Sequence, residues 1–158
     1  MQSTQDTKNK KVIVREATEH DALDCLMLIK SFVKESDQPF KFDPIKTLES
    51  ISNSIQGLST LKLFVAEINS EVIGFVSGIV YEQLFSRDKT ADELAWYVDK
   101  NHRGGTAAIR LLKAYEDWAT SNGVVCIHMS HIERLADLSK LYNKLGYKRI
   151  EATFQKEI

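Results

Sequence analysis

The chain is predicted to fold as one mixed α/β domain, a central sheet flanked by helices in the order β-α-α-β-β-β-α-β-α-β. Three observations predict it. Short runs rich in valine, isoleucine and aromatic residues carry the alternation of half-buried strands. Between them lie segments whose apolar residues recur every three or four positions, the period of amphipathic helices. A strand–helix–strand crossover sits at the centre of this order. With 158 residues, 43% of them apolar and only two prolines, the chain can build one core and has no room for a second domain.

The first strand is read from Val12 to Ala17, where apolar and polar residues alternate. Thr18 then offers an N-cap to a helix carrying Ala22, Leu23, Leu26, Ile29, Phe32 and Val33. Pro39 and Pro44 punctuate a loop, and Ile45, Leu48, Ile51 and Ile55 mark a second helix ended by Gly57. These two helices are expected to roof part of a substrate cleft. Leu61–Ile68 and Val72–Tyr81 are strand runs separated by Asn69-Ser70-Glu71, a hairpin signal. A polar loop, Glu82 to Thr90, leads to a fourth strand at Asp92–Val98. An Arg-Gly-Gly turn then opens a helix running to Asn122-Gly123. Val124–Met129 forms a fifth strand, and Leu135, Leu138, Leu141, Tyr142 and Leu145 mark a last helix stopped by Gly146. Tyr147–Glu157 is expected to supply one more strand or a bent pair. Residues 1–11, polar and holding the Lys8, Lys10, Lys11 cluster, read as a disordered tail before a domain at 12–158.

Composition excludes several roles. A net charge of −1 and a pI near 6.4 give no basic surface for nucleic acid or an anionic membrane. The longest apolar stretch, Val72–Tyr81, is interrupted by Gly74, Ser77 and Gly78 and is too short to span a bilayer. With no leader-like N-terminal run, a soluble cytoplasmic protein is expected. Cys25 and Cys126 form no disulfide pattern and are expected to be reduced and buried. His128 and His131 have an H-x-x-H spacing but no evident third ligand, so no metal is expected.

The most informative stretch is Val98 to Leu112. Gly104 and Gly105 let the backbone approach an anion, Arg103 adds charge, and free amides of the following helical turn point outward with the positive end of the helix dipole. The stretch resembles the pyrophosphate turn of the GNAT superfamily of acyl-CoA N-acyltransferases: Arg or Gln, two residues, Gly, one residue, then Gly or Ala. Arg103 and Ala108 match its ends, while Thr106 stands where the pattern has its central Gly. Leu141-Tyr142-Asn143-Lys144-Leu145-Gly146-Tyr147 is similar to the Leu-Tyr-x-Lys-x-Gly-aromatic signature closing the last helix of many GNAT enzymes. The GNAT fold has the same element order, so the resemblance covers nearly the whole chain.

The resemblance implies a mixed sheet whose fourth and fifth strands splay, and transfer of an acetyl group from acetyl-CoA to a primary amine by direct attack in a ternary complex. It implies that Arg103, Gly104, Gly105, Thr106, Ala107 and Ala108 hold the pyrophosphate. The pantetheine arm would pair with backbone of the splayed strand around Trp96, Tyr97 and Val98, whose amides would also stabilise the oxyanion. Tyr142 takes the family position of the acid that protonates the leaving thiolate. An alkylammonium has no lone pair at neutral pH, so a carboxylate must remove its proton. Glu93 is the first candidate and Asp92 its rival. Strand alternation puts Glu93 on the face of Ala95 and Tyr97, and the competing reading is a solvated strand-edge residue.

Other readings stay beside this one. Covalent catalysis through Cys126 is the competing mechanism and nothing supports it, because a thiol between Val125 and Ile127 on an apolar strand is expected to be buried and inert. Trp96 and Tyr97 either line the acceptor pocket or pack beneath it. Glu82, Asp88, Asp92 and Glu93 suit a cationic acceptor or merely a solvated acidic loop. His102 is read as a phosphate contact or an exposed loop residue. A GNAT domain that binds CoA or a partner protein without catalysis is the alternative function, favoured by Thr106. Many small GNAT domains pair, so a homodimer is a possible assembly.

Overall fold

The computed structural model describes residues 11–158. Five strands form one sheet in sequence order: β1 (Ile13–Glu16), β2 (Leu61–Ile68), β3 (Glu71–Glu82), β4 (Lys89–Val98) and β5 (Val124–His128). The first four pair antiparallel and β5 runs parallel to β4. A parallel neighbour needs a crossover, and α3 (Ala107–Ser121) supplies it. The β2–β3 turn is two residues, Asn69 and Ser70, with φ of 52° and 66°. Both values lie in the left-handed region that a tight hairpin with the strands' own twist demands. Glu71, expected in the turn, is the first residue of β3.

Alternation in the central strands gives each face its own core. Phe64, Ala66, Val76 and Ala91 face Leu111, Leu112, Tyr115 and Ala119 of α3. Leu63, Val65, Phe75 and Tyr97 face the other way, against Cys25 and Leu28 of α1 (Ala22–Ser36) and Ile51 of α2 (Pro44–Ile55). The sheet is thus covered on both sides, as a mixed α/β layer requires. Among the described residues no helix is long and apolar enough to cross a membrane.

Thr18 caps a short 3-10 turn, Glu19–Asp21, that leads into α1. The Asp21 carboxylate accepts from the Thr18 amide at 2.7 Å and from Arg15 at 2.6 and 2.9 Å, and Arg15 also bonds Glu67 of β2. These bonds, the Arg15 guanidinium first, hold the Asp21 carboxyl down at about 2 against an ordinary 3.8. Its stabilising effect is therefore complete above pH 3.8 and lost as pH falls toward 2. Asp21→Asn is expected to destabilise the fold by about 2 kcal/mol at neutral pH. Urea denaturation at neutral pH and near pH 2 checks it, because most of the penalty should be gone at the lower pH.

The C-terminal third departs from the sequence reading. The last helix, α4, spans only Ser139–Lys144. Leu135 and Ala136 instead close a turn on the Ile132 carbonyl, and the Asp137 side chain takes the Ser139 amide, a local bond that competes with helix. The strand expected at Tyr147–Glu157 does not form. No described segment forms a ladder with it, and Ile150 and Phe154 are exposed. Cys25 is fully buried as expected, whereas Cys126 is exposed, because β5 is an edge strand and its outer side is uncovered. The tail assigned to residues 1–11 lies, except for Lys11, outside the described residues.

Candidate active site

Parallel pairing between β4 and β5 begins at Lys89 opposite Val124 and ends at Asp92 opposite His128. From Glu93 to Val98 β4 is bonded to β3 alone, so the two strands splay as expected. Along this free stretch, the Tyr97 carbonyl and the Asp99 amide point toward β3. Strand geometry then turns the amides and carbonyls of Trp96 and Val98 to the open side.

A β-bulge decides where Glu93 points. Ser77 opposes Ala95 and Gly78 opposes Glu93, leaving Leu94 as the extra residue. Simple alternation placed Glu93 with Ala95 and Tyr97, and the bulge reverses this. Glu93 lies on the α3 side with Ala91, Trp96 and Val98, while Asp92 takes the opposite side. Opposite the bulge, Gly78 makes room for Tyr115 of α3: a Cβ there would sit 2.4 Å from the ring.

On that face Glu93 meets the turn after β5. Its Oε2 accepts from the Ser130 hydroxyl at 3.0 Å and from the Ser130 amide at 3.3 Å. Burial without a cation partner pushes the Glu93 carboxyl up to about 7, and the two Ser130 bonds pull it back only in part. Tyr142 of α4 donates its hydroxyl to the Ser130 carbonyl at 2.6 Å. Ser130 therefore ties together the two side chains that the sequence proposed for proton transfer. Burial first, then the Glu93 charge, raises the Tyr142 phenol above its ordinary value. Its ring stacks near His131, with centroids 6.1 Å apart, and lies 5.7 Å from Tyr147 and 6.4 Å from Trp96.

The two adjacent aromatics of β4 part company. Trp96 faces this cluster, its indole N–H buried and without a hydrogen-bond partner among the described residues. Tyr97 packs into the opposite core against Phe32 and Phe75 and donates its hydroxyl to Glu35 of α1 at 2.7 Å. Its carbonyl points to β3, so neither that carbonyl nor the ring lies on the open side of the strand. The acidic cluster read from Glu82, Asp88, Asp92 and Glu93 does not converge on one site, because Asp88 bonds Ser86 and Asp92 bonds His128.

After Val98, a 3-10 turn, Lys100–His102, leads to Arg103, Gly104 and Gly105. Gly104 has φ of 84°, a conformation open to glycine at no cost. Thr106 is the helix N-cap, with an ordinary helical backbone and no capping bond from its side chain. Among the described residues, no acceptor engages the amides of Gly104, Gly105, Thr106, Ala107 or Ala108. They lie at the start of a fifteen-residue helix, at the positive end of its dipole. The Arg103 side chain is committed elsewhere. It bonds Glu35 at 2.7 Å, donates to the Val98 carbonyl at 2.8 Å, and lies over the Tyr97 ring. His102 is half-buried beside Asp99, 3.5 Å away.

The sequence model of the GNAT acetyltransferase family matches residues 28–147, three-quarters of the chain. The chain belongs to that family. Solved structures share the fold of this acetyltransferase at low identity. An aminoglycoside acetyltransferase from an uncultured soil metagenomic sample, in complex with sisomicin, superposes with a TM-score of 0.72 at 16% identity, over 93% of this chain and 96% of its own. A ribosomal-protein-alanine N-acetyltransferase from Brucella melitensis gives 0.73 at 16% identity, over 94% and 99%. A predicted acetyltransferase with acetyl-CoA from Clostridium acetobutylicum gives 0.74 at 14% identity, over 93% and 96%. No curated protein matches the chain in sequence.

Two residues of the site were invisible to sequence reading. Ser130 is a lone serine after a strand, 37 residues from Glu93. Glu35 is an ordinary helix-end carboxylate, and its partner Arg103 is 68 residues away. No local pattern marks either one.

Proposed function

We propose that this family member transfers the acetyl group of acetyl-CoA to the nitrogen of a primary amine by direct attack within a ternary complex. The observation that carries the reading is the Glu93–Ser130–Tyr142 arrangement beside the splay. It puts a carboxyl with a pKa of about 7 and a firmly protonated phenol on two groups of one residue. Glu93, ionised at or above neutrality, takes a proton from the acceptor's ammonium. The freed lone pair attacks the thioester carbonyl, and the open-side Trp96 and Val98 amides are the donors that face the developing oxyanion. As the carbon–sulfur bond breaks, Tyr142 supplies a proton to the sulfur by turning its hydroxyl from the Ser130 carbonyl, and the second proton of the acylated nitrogen returns the phenolate to its neutral form.

The unpartnered amides of Gly104 to Ala108 fit a pyrophosphate, and a Cβ on Gly104 or Gly105 would meet nothing within 4 Å, so the cradle has room. Trp96 and the Val98 amide offer backbone partners to the pantetheine arm, while the Val98 carbonyl already accepts from Arg103. Arg103 needs a separate account because Glu35 and Tyr97 hold it. It braces the turn against α1 and turns to phosphate only by leaving Glu35. Arg103→Ala is therefore expected to weaken acetyl-CoA binding about tenfold, read by calorimetric titration. Unchanged affinity would remove Arg103 from the cradle. If no saturable acetyl-CoA binding is seen in the unaltered protein, the proposed transfer is overturned in favour of a domain that acts through protein contacts.

A further inference from the structure

On the face of the sheet away from α3, a second constellation spans three strands. His128 Nδ1 lies 2.7 Å from Asp92 Oδ1, and His128 Nε2 lies 3.7 Å from Cys126 Sγ. The other Asp92 oxygen accepts from the Tyr81 hydroxyl at 2.9 Å. Strand register explains the alignment: Cys126 and His128 are two residues apart on β5, and Asp92 is the β4 residue opposite His128. With its Nδ1 proton shared with Asp92, the His128 ring presents a lone pair on Nε2 to the thiol. A thiol, a base within reach of it, and a carboxylate that orients the base form the arrangement of an activated nucleophile, recognised by geometry rather than by sequence order. Cys126 is exposed, and His128 and Asp92 keep about a third of their side-chain surface, so a reagent can reach the sulfur. The exposure of Cys126 removes the premise on which the sequence reading dismissed it.

We propose that Cys126, with His128 as base and Asp92 as positioning residue, is a second nucleophilic site that accepts acyl groups from thioesters. His128 Nε2 takes the Sγ proton, and the thiolate attacks the thioester carbonyl carbon. The new Sγ–carbon bond forms as the bond to the donor sulfur breaks, and the departing thiolate recovers the proton from His128. One thioester replaces another, so no oxidant or reductant is needed. The choice of an acyl thioester as reagent rests on the donor proposed above, whereas the activated thiol does not.

The test uses S-acetyl-N-acetylcysteamine, a thioester without a nucleotide, so a defective CoA cradle cannot imitate failure. Intact-mass and peptide analysis of the full-length protein should find one acetyl group on Cys126 and none on buried Cys25, removable by hydroxylamine. His128→Ala should slow the modification about tenfold, with free imidazole restoring the rate. Asp92→Asn should slow it and Asp92→Glu should restore it. Cys126→Ser should abolish it while leaving amine acetylation unchanged. An unmodified Cys126 that iodoacetamide still alkylates, or equal rates in the unaltered protein and His128→Ala, would overturn the proposal.

Discussion

Glu93→Gln is expected to lower amine acetylation about a hundredfold while making the folded protein more stable above about pH 7. The two effects have one cause. Glutamine keeps the shape and accepts the same Ser130 hydrogen bonds but cannot take a proton from the ammonium. In the unaltered protein, burial raises the carboxyl from 4.5 to about 7, so between those values the folded state binds more protons than the unfolded one. Glu93 therefore favours folding most below pH 4.5, and stability falls as pH rises toward 7. Glutamine escapes that loss. Activity has the opposite sign, because the base works only when ionised: the rate should climb with pH and level off above about 7. Thermal melts and steady-state rates across that range, on both proteins, check the pair. A Glu93→Gln protein of full activity would return the base assignment to another group.

Tyr142→Phe is expected to reduce turnover about a hundredfold with little change in acetyl-CoA affinity. The ring contacts with Trp96, His131 and Tyr147 survive the substitution and only the hydroxyl is lost. Loss of the bond to the Ser130 carbonyl should cost about 1 kcal/mol of stability, too little to unfold the domain. Because burial holds the phenol protonated well beyond neutrality, an alkaline fall in rate is not expected from Tyr142. Turnover measured beside calorimetric affinity separates the role in proton transfer from one in binding. Unchanged turnover would exclude the tyrosine as the acid.

The element order through β5 was legible because it leaves local traces, whereas the splay was implied only by the resemblance to the GNAT family. The β2–β3 hairpin shows in the residues between two strand runs, and the crossover helix shows in its glycine turn and apolar stripe. The direction of Glu93 was not legible. It depends on whether Leu94 is counted into the β3–β4 ladder, and Leu94 reads as an ordinary strand residue. Ser130 and Glu35 were hidden for a different reason: each works through a partner brought near by the fold. The C-terminal segment failed in the reverse direction. Its strand-like composition is real, but a strand needs a neighbour to bond, and none of the described residues provides one.

Asp92 and Glu93 are neighbours with the same charge and nearly the same reach, yet they serve opposite sides of the sheet: one beside His128, the other beside Ser130. What separates them is parity. A slip of Lys89–Glu93 by one residue against β3 would turn Asp92 to the α3 side and Glu93 to the opposite side without changing a letter. Strands that look alike when written out are therefore equivalent only when the odd or even count between the last carboxylate and the end of the ladder is also the same.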